Sequence, residues 1–106
     1  MTTFRRGTTP AISLRVNADL TEWAVYVAIR NGKSRVIVDG DRLTMRYADG
    51  KTAIEFSLTQ EETLALSTGS SSVQVRAVNA HGVAVATDIE RLPIDRIIQE
   101  GVIEYA

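Results

Sequence analysis

The sequence has no cysteine and only one histidine among its 106 residues. Without cysteine there are no disulfide bonds, thiolate metal ligands or cysteine nucleophiles. The histidine, His81, precedes Gly82 in a predicted turn, where an exposed corner residue is expected rather than a general base. No apolar run reaches the roughly 18 residues of a membrane-spanning helix. Arg5 and Arg6 are not followed by the apolar stretch of a secretion signal, and we predict no membrane association.

The acidic residues and the glycines also lack the spacing that catalytic or cofactor sites need. Asp39-Gly40-Asp41 offers two carboxylates but not the further spaced ligands of a calcium loop. Glu61 and Glu62 are neighbours on a predicted helix, where adjacent side chains do not face each other as a catalytic carboxylate pair would. The glycines are spaced as turns rather than clustered into a phosphate loop. We therefore predict no enzyme activity, no metal site and no cofactor.

What the sequence does contain is a regular alternation of apolar and polar residues, which is typical of half-buried strands. The Asn31-Gly32 pair predicts a type I′ hairpin turn, and Asp49-Gly50 predicts another tight turn. We expect the last two strands to form the longest pair. The fold class predicted for residues 1–106 is a single all-β domain, an antiparallel sandwich or partly open barrel of about seven strands. These strands are expected near residues 11–17, 23–30, 34–38, 43–47, 54–58, 73–77 and 83–89.

The alternation is interrupted at Leu58–Leu66, where apolar residues recur at the spacing of a helix. Thr59 and Glu62 have the spacing of a capping box, in which each side chain accepts a hydrogen bond from the other residue's amide. This predicts a short helix near residues 60–66. A second short helix is expected near 95–100, because Gly101 follows as a common helix stop. Residues 102–105 are apolar enough to form a final strand or to bind a partner.

Candidate interaction residues lie in both terminal segments. Residues 1–9 read as an extended arm, which is either a frayed terminus or a segment that lies along a neighbouring subunit with Phe4 as its anchor. Charge is uneven as well: residues 1–51 carry nine Lys/Arg and five Asp/Glu, whereas residues 52–106 carry three and eight. This asymmetry fits either charge pairing within the sheets or head-to-tail association. The predicted interaction residues are Phe4, Arg5, Arg6, Val102, Ile103 and Tyr105.

The sequence disfavours two further classes of ligand, nucleic acid and carbohydrate. A basic stripe with nearby tyrosines would suit nucleic acid, but the pI of about 5.8 and the interspersed aspartates dilute it. Trp23 would suit sugar stacking, but it shares its strand phase with Val25, Val27 and Ile29, which favours a place in the core. The stripe is formed by Arg30, Lys33, Arg35, Arg42 and Arg46, with Tyr26 and Tyr47 beside it.

A resemblance extends over nearly the whole chain. The segments that carry it, in order, are Arg6-Gly7-Thr8-Thr9-Pro10, Leu58-Thr59-Gln60-Glu61-Glu62-Thr63-Leu64, Val73-Gln74-Val75-Arg76 and Ala86-Thr87-Asp88-Ile89. Together they resemble a group of small proteins encoded in phages and prophages of Gram-positive bacteria. The resemblance implies a role in virion or tail assembly, in the host cytoplasm during assembly and in the virion, with other phage structural proteins or further copies of the chain as partners. It implies no catalytic or binding residues. The alternative is a phage-encoded adaptor or inhibitor that binds a host protein or nucleic acid.

Overall fold

The computed structural model describes residues 4–66, 69–87, 89–95 and 101–105. Within these ranges it is an all-β fold with one short helix, as the alternating sequence predicts. Nine strands lie in the described ranges, two more than expected. In chain order the elements are β1 (Phe4–Arg5), β2 (Ala11–Val16), β3 (Ala24–Asn31), β4 (Ser34–Asp39), a 3₁₀ turn (Gly40–Arg42), β5 (Thr44–Ala48), β6 (Lys51–Ser57), α1 (Gln60–Ala65), β7 (Gly69–Val78), β8 (Ala84–Ala86) and β9 (Glu90–Asp95).

The strands form two sheets. Sheet A has the order β1-β9-β7-β3-β4, with β8 also pairing with β7, and sheet B has the order β2-β6-β5. All pairs are antiparallel except β1 with β9, which is parallel. The helix α1 connects the last strand of sheet B to β7 at the centre of sheet A.

The core lies between the two sheets and is built by the period-two alternation. In β3, Val25, Val27 and Ile29 are buried, whereas Tyr26 is exposed on the other face. The helix adds Thr63, which is fully buried. One continuous cluster takes apolar side chains from both sheets, namely Phe4, Ile12, Leu14, Leu20, Val25, Val27, Ile29, Val36, Val38, Ile54, Phe56, Leu58, Leu66, Val73, Val75, Ala77, Leu92 and Ile94.

Two hairpin turns show how local sequence sets the register. Asp49 and Gly50 both have positive φ, 53° and 77°, as a two-residue type I′ turn requires. In the β3–β4 hairpin, Asn31 pairs with Ser34, so the turn residues are Gly32 and Lys33. Only Gly32 has positive φ, which is the type II′ pattern, and the predicted type I′ turn at Asn31-Gly32 is wrong by one residue.

Several predicted elements differ from the structure. Strand β7 forms the predicted hairpin with β8, but it pairs over only three positions there and over seven with β3, so the prediction that the last two strands form the longest pair is wrong. Residues 102–105 are described but form no strand. The predicted arm at 1–9 includes β1, which joins sheet A. The predicted helix near 95–100 falls almost wholly on residues outside the described ranges.

A buried threonine holds the loop between β2 and β3. Thr52 on β6 is 2% exposed, and its hydroxyl donates to the carbonyl of Ala18 at 2.6 Å. The same oxygen accepts from the amide of Leu20 at 3.1 Å, which places the Leu20 side chain in the core. A buried backbone group that loses its partner costs about 1–3 kcal/mol.

Replacing Thr52 with Val preserves its shape but removes both hydrogen bonds. We expect the free energy of unfolding to fall by about 1–3 kcal/mol, because the amide of buried Leu20 is left without a partner. Urea denaturation measures this change. Thr44→Val on the exposed strand β5 is the control, expected to shift stability by less than about 0.5 kcal/mol. Equal effects of the two substitutions would contradict the assignment.

Candidate interaction surface

The helix α1 is positioned by the predicted capping box. The amide of Glu62 donates to Thr59 Oγ1 at 3.1 Å, and the amide of Thr59 donates to Glu62 Oε1 at 2.9 Å. The prediction of a helix starting after Thr59 is confirmed. The buried helical residue is Thr63, whose hydroxyl lies 2.9 Å from the carbonyl oxygen of Thr8. Leu64, predicted to share the apolar side, is only half-buried.

Glu62 also binds a cation. The guanidinium of Arg42 donates to both carboxylate oxygens of Glu62, at 2.7 and 2.5 Å, and to the carbonyl of Ser57 at 3.0 Å. The hydrogen bonds from Arg42 hold the pKa of the Glu62 carboxyl below its ordinary value, against the opposing effect of burial, and the Thr59 amide adds to the lowering. The pKa of Arg42 is raised by the same partner. This ion pair joins the helix to the turn before β5.

The structure brings the two predicted terminal segments to opposite ends of α1. At the C-terminal end, Arg6 Nε donates to the carbonyl of Leu66 at 2.8 Å, and its Nη2 donates to the carbonyl of Leu64 at 2.7 Å. Phe4 is 7% exposed and belongs to the core of its own chain. In this conformation Phe4 is not accessible to a neighbouring subunit, in contrast to its predicted role as an anchor. Arg5 is exposed.

At the N-terminal end of α1, Gln60 holds the other predicted segment. Its Oε1 accepts from the amide of Ile103 at 2.8 Å, and its Nε2 donates to the carbonyl of the same residue at 3.0 Å. A side-chain amide thereby binds one residue's backbone as a neighbouring strand would. The side chains of this segment are nevertheless exposed: 48% for Val102, 59% for Ile103 and 104% for Tyr105.

A second exposed apolar surface lies on β5, and we call it the β5 edge (Met45, Arg46 and Tyr47). Met45 pairs with buried Ile54 and Tyr47 with buried Thr52, so both side chains point to the core face of sheet B. They are nonetheless 39% and 50% exposed, because the core does not extend over them. Sequence reasoning missed this surface, and the apolar phase of Leu43, Met45 and Tyr47 was its only signal.

The predicted basic stripe is divided between different places. Arg42 is paired with Glu62, and Arg46 lies on sheet B. On the outer face of sheet A, the strand register instead places Arg35, Arg30, Ser72 and Arg91 in one row across four strands. We call this the arginine row; it spans about 14 Å at the usual strand spacing. Arg91 was not part of the predicted stripe.

The remaining candidate residues are placed as follows. His81 is exposed in the turn after β7, and Asp41 lies in the 3₁₀ turn after β4. In the part of the chain that the structure describes, no three His, Asp or Glu side chains are grouped as metal ligands would be.

Trp23 is half-buried and packs against the core, as its phase predicts. Within the same ranges, no helix has the length and apolar character to cross a membrane.

Comparison with known proteins identifies no family. The chain matches no protein-family model, and a search of curated proteins gives no significant match. The resemblance to phage proteins therefore stays a prediction.

The Glu62–Arg42 pair predicts a pH-dependent contribution to stability. The folded state lowers the pKa of Glu62, so the stabilisation is present above the unperturbed pKa of about 4.5 and is lost as pH falls through the lowered value. Glu62→Gln keeps an acceptor for the cap but removes the charge. Because the pair is partly exposed, we expect the free energy of unfolding of Glu62→Gln at pH 7 to be only about 0.5–1 kcal/mol below that of the wild type.

The measurement is urea denaturation of wild type and Glu62→Gln at several pH values. The difference between them should shrink as the pH falls through the lowered pKa of Glu62, and it should vanish once the carboxyl is protonated in the folded wild type as well. Glu61→Gln is the matched control, since Glu61 is the exposed neighbour on the same helix. A difference that persists unchanged at low pH would contradict the ionic origin.

Proposed function

We propose that the protein is a structural or assembly component of a phage particle, in the tail, baseplate or connector, and that it acts by protein–protein contact. Its place is the host cytoplasm during assembly and then the virion. The phage context rests on the four sequence segments that resemble phage and prophage proteins. The contact rests on a structural observation, the exposed apolar segment 102–105 that Gln60 holds by its backbone.

The physical argument concerns the entropy of binding. Ordering a flexible segment on association costs about 0.5–1.5 kcal/mol for each immobilised side chain, in addition to the cost of fixing its backbone. The two hydrogen bonds between Gln60 and Ile103 restrict the backbone of Ile103 before any partner binds. The side chains that would be buried, Val102, Ile103 and Tyr105, remain available. An apolar segment presented in this way favours association over a role as an isolated monomer.

The test replaces Val102, Ile103 and Tyr105 together with serine. Light scattering behind a sizing column, at low and high salt, should show a defined oligomer for the wild type and a smaller particle for the variant. The matched control replaces Val83, Val85 and Ile89 with serine; their side chains are 53%, 46% and 65% exposed, and the oligomer should persist. A monomeric wild type would exclude self-association and leave other phage proteins as the partners, and equal loss in both variants would contradict the role of segment 102–105. Mass spectrometry of purified particles tests the phage assignment separately.

A second candidate function, an adaptor that binds nucleic acid, is favoured by the arginine row. Arg30 and Arg35 are directly opposite each other, an arrangement that is destabilising between like charges unless an anion is present. Tyr26, 41% exposed, lies on the same face and offers a ring for base stacking. Of the aspartates that argued against this function, only Asp39 lies on this face, opposite Tyr26.

The test measures the anisotropy of labelled oligo(dT) as a function of salt. Replacing Arg30, Arg35 and Arg91 with glutamine should weaken binding and reduce the salt slope by about 2, at roughly 0.7 for each phosphate contact. The control replaces Arg15, Arg46 and Lys51 on sheet B with glutamine, the same change in charge, and should leave the slope nearly intact. No binding by the wild type, or an equal loss in both variants, would exclude a site at the arginine row.

A further inference from the structure

The backbone of segment 102–105 has one bonded edge and one open edge. Gln60 binds both the N–H and the C=O of Ile103, so these two groups point in the same direction, as they do in an extended residue. Along an extended chain the next residues direct their N–H and C=O groups the opposite way. Val102 and Glu104 therefore present their backbone groups on the side away from Gln60. That side is available for a further strand.

The β5 edge also has unpaired backbone groups. Ala48 and Lys51 flank the two-residue turn and exchange hydrogen bonds, and such pairs alternate along an antiparallel ladder with pairs that do not. Arg46 is therefore bonded to β6, whereas the N–H and C=O groups of Met45 and Tyr47 point away from the sheet. Within the described ranges, β6 is the one strand that pairs with β5.

The backbone groups of these two edges can pair in either direction, and the side chains favour the parallel one. In a parallel pair, a residue that points its groups at the neighbouring strand lies opposite a residue that points its groups away. Glu104 would thus lie opposite Arg46, bonded to the C=O of Met45 and the N–H of Tyr47. We propose that segment 102–105 of one copy adds to the β5 edge of a second copy as a parallel strand. This proposal rests on the proposed function and names its partner.

The side chains agree with this register. Ile103 comes opposite Met45 and Tyr105 opposite Tyr47, which covers the exposed apolar side chains on the core face of sheet B. Glu104 comes opposite Arg46 on the outer face, so that an acidic and a basic group meet. An antiparallel register would instead place Glu104 against Met45 on the apolar face. The contact is head-to-tail and joins the acidic half of one chain to the basic half of the next.

The first experiment uses disulfide linkage, which is clean because the chain has no cysteine of its own. The parallel register places Val102 opposite Thr44, within reach of a disulfide. The double variant Thr44→Cys/Val102→Cys should give a ladder of covalent multimers on oxidation. In the control Ala48→Cys/Val102→Cys the residues are four positions out of register, about 13 Å, and little linkage is expected. Stronger linkage in the control would overturn the parallel register.

The second experiment exchanges the charges. Arg46→Glu and Glu104→Arg should each weaken the oligomer tenfold or more in dissociation constant, and an equimolar mixture of the two variants should form mixed pairs. Light scattering and analytical ultracentrifugation measure both effects. This inference fails, while the proposed function stands, if the serine variant of segment 102–105 dissociates but the two other tests are negative. In that case Thr44→Cys/Val102→Cys does not cross-link, and Arg46→Glu and Glu104→Arg associate as tightly as the wild type. A wild type that is monomeric overturns this inference, because no second copy is then bound.

Discussion

The fold depends on a six-residue helix that is stabilised by its neighbours. An isolated helix of this length does not persist in water, because helices below about 12–15 residues are marginal even with favourable sequences. In α1 the side chains of Gln60, Glu62 and Thr63 each bind a different distant segment, and carbonyls at its C-terminal end accept from Arg6. The helix therefore fixes the crossing from sheet B to sheet A, and both terminal segments are ordered against it.

This arrangement separates the internal and external roles of the helix. The Thr59–Glu62 cap and the Glu62–Arg42 ion pair are both formed within the chain and define where the helix lies. The charges of Glu62 and Arg42 therefore neutralise each other at the start of the helix. Gln60 differs, because both the oxygen and the nitrogen of its side-chain amide bind the backbone of Ile103. A neutral side chain that mimics a strand partner holds a segment in place without dictating its side-chain contacts. The exposed apolar residues of that segment are thus a consequence of the helix's position.

The sequence predicts what is local and misses what is not. The capping box and the Asp49-Gly50 turn depend on residues a few positions apart, and both are present as expected. The partner of β7 could not be predicted, because the residues after it continue the same alternation. In the structure the Thr87 hydroxyl accepts from the amide of Val75 where the β8 ladder ends. Strand β9 then pairs along the same edge of β7, while β3 pairs along the opposite edge. The burial of Phe4 could not be predicted for the same reason, because it depends on the pairing of β1 with β9.

The β5 edge shows why a surface cannot be predicted from alternation alone. Met45 and Tyr47 have the phase of core residues, and only the placement of the sheets leaves them exposed. An exposed strand edge invites indiscriminate pairing, which natural proteins limit with short edge strands and charged residues. Here the strand has five residues with Arg46 at its centre. That arginine opposes pairing with a second copy of the same edge, because two guanidinium groups would meet, yet it favours a strand with a carboxylate at the matching position. The same residue therefore protects the edge and makes it selective.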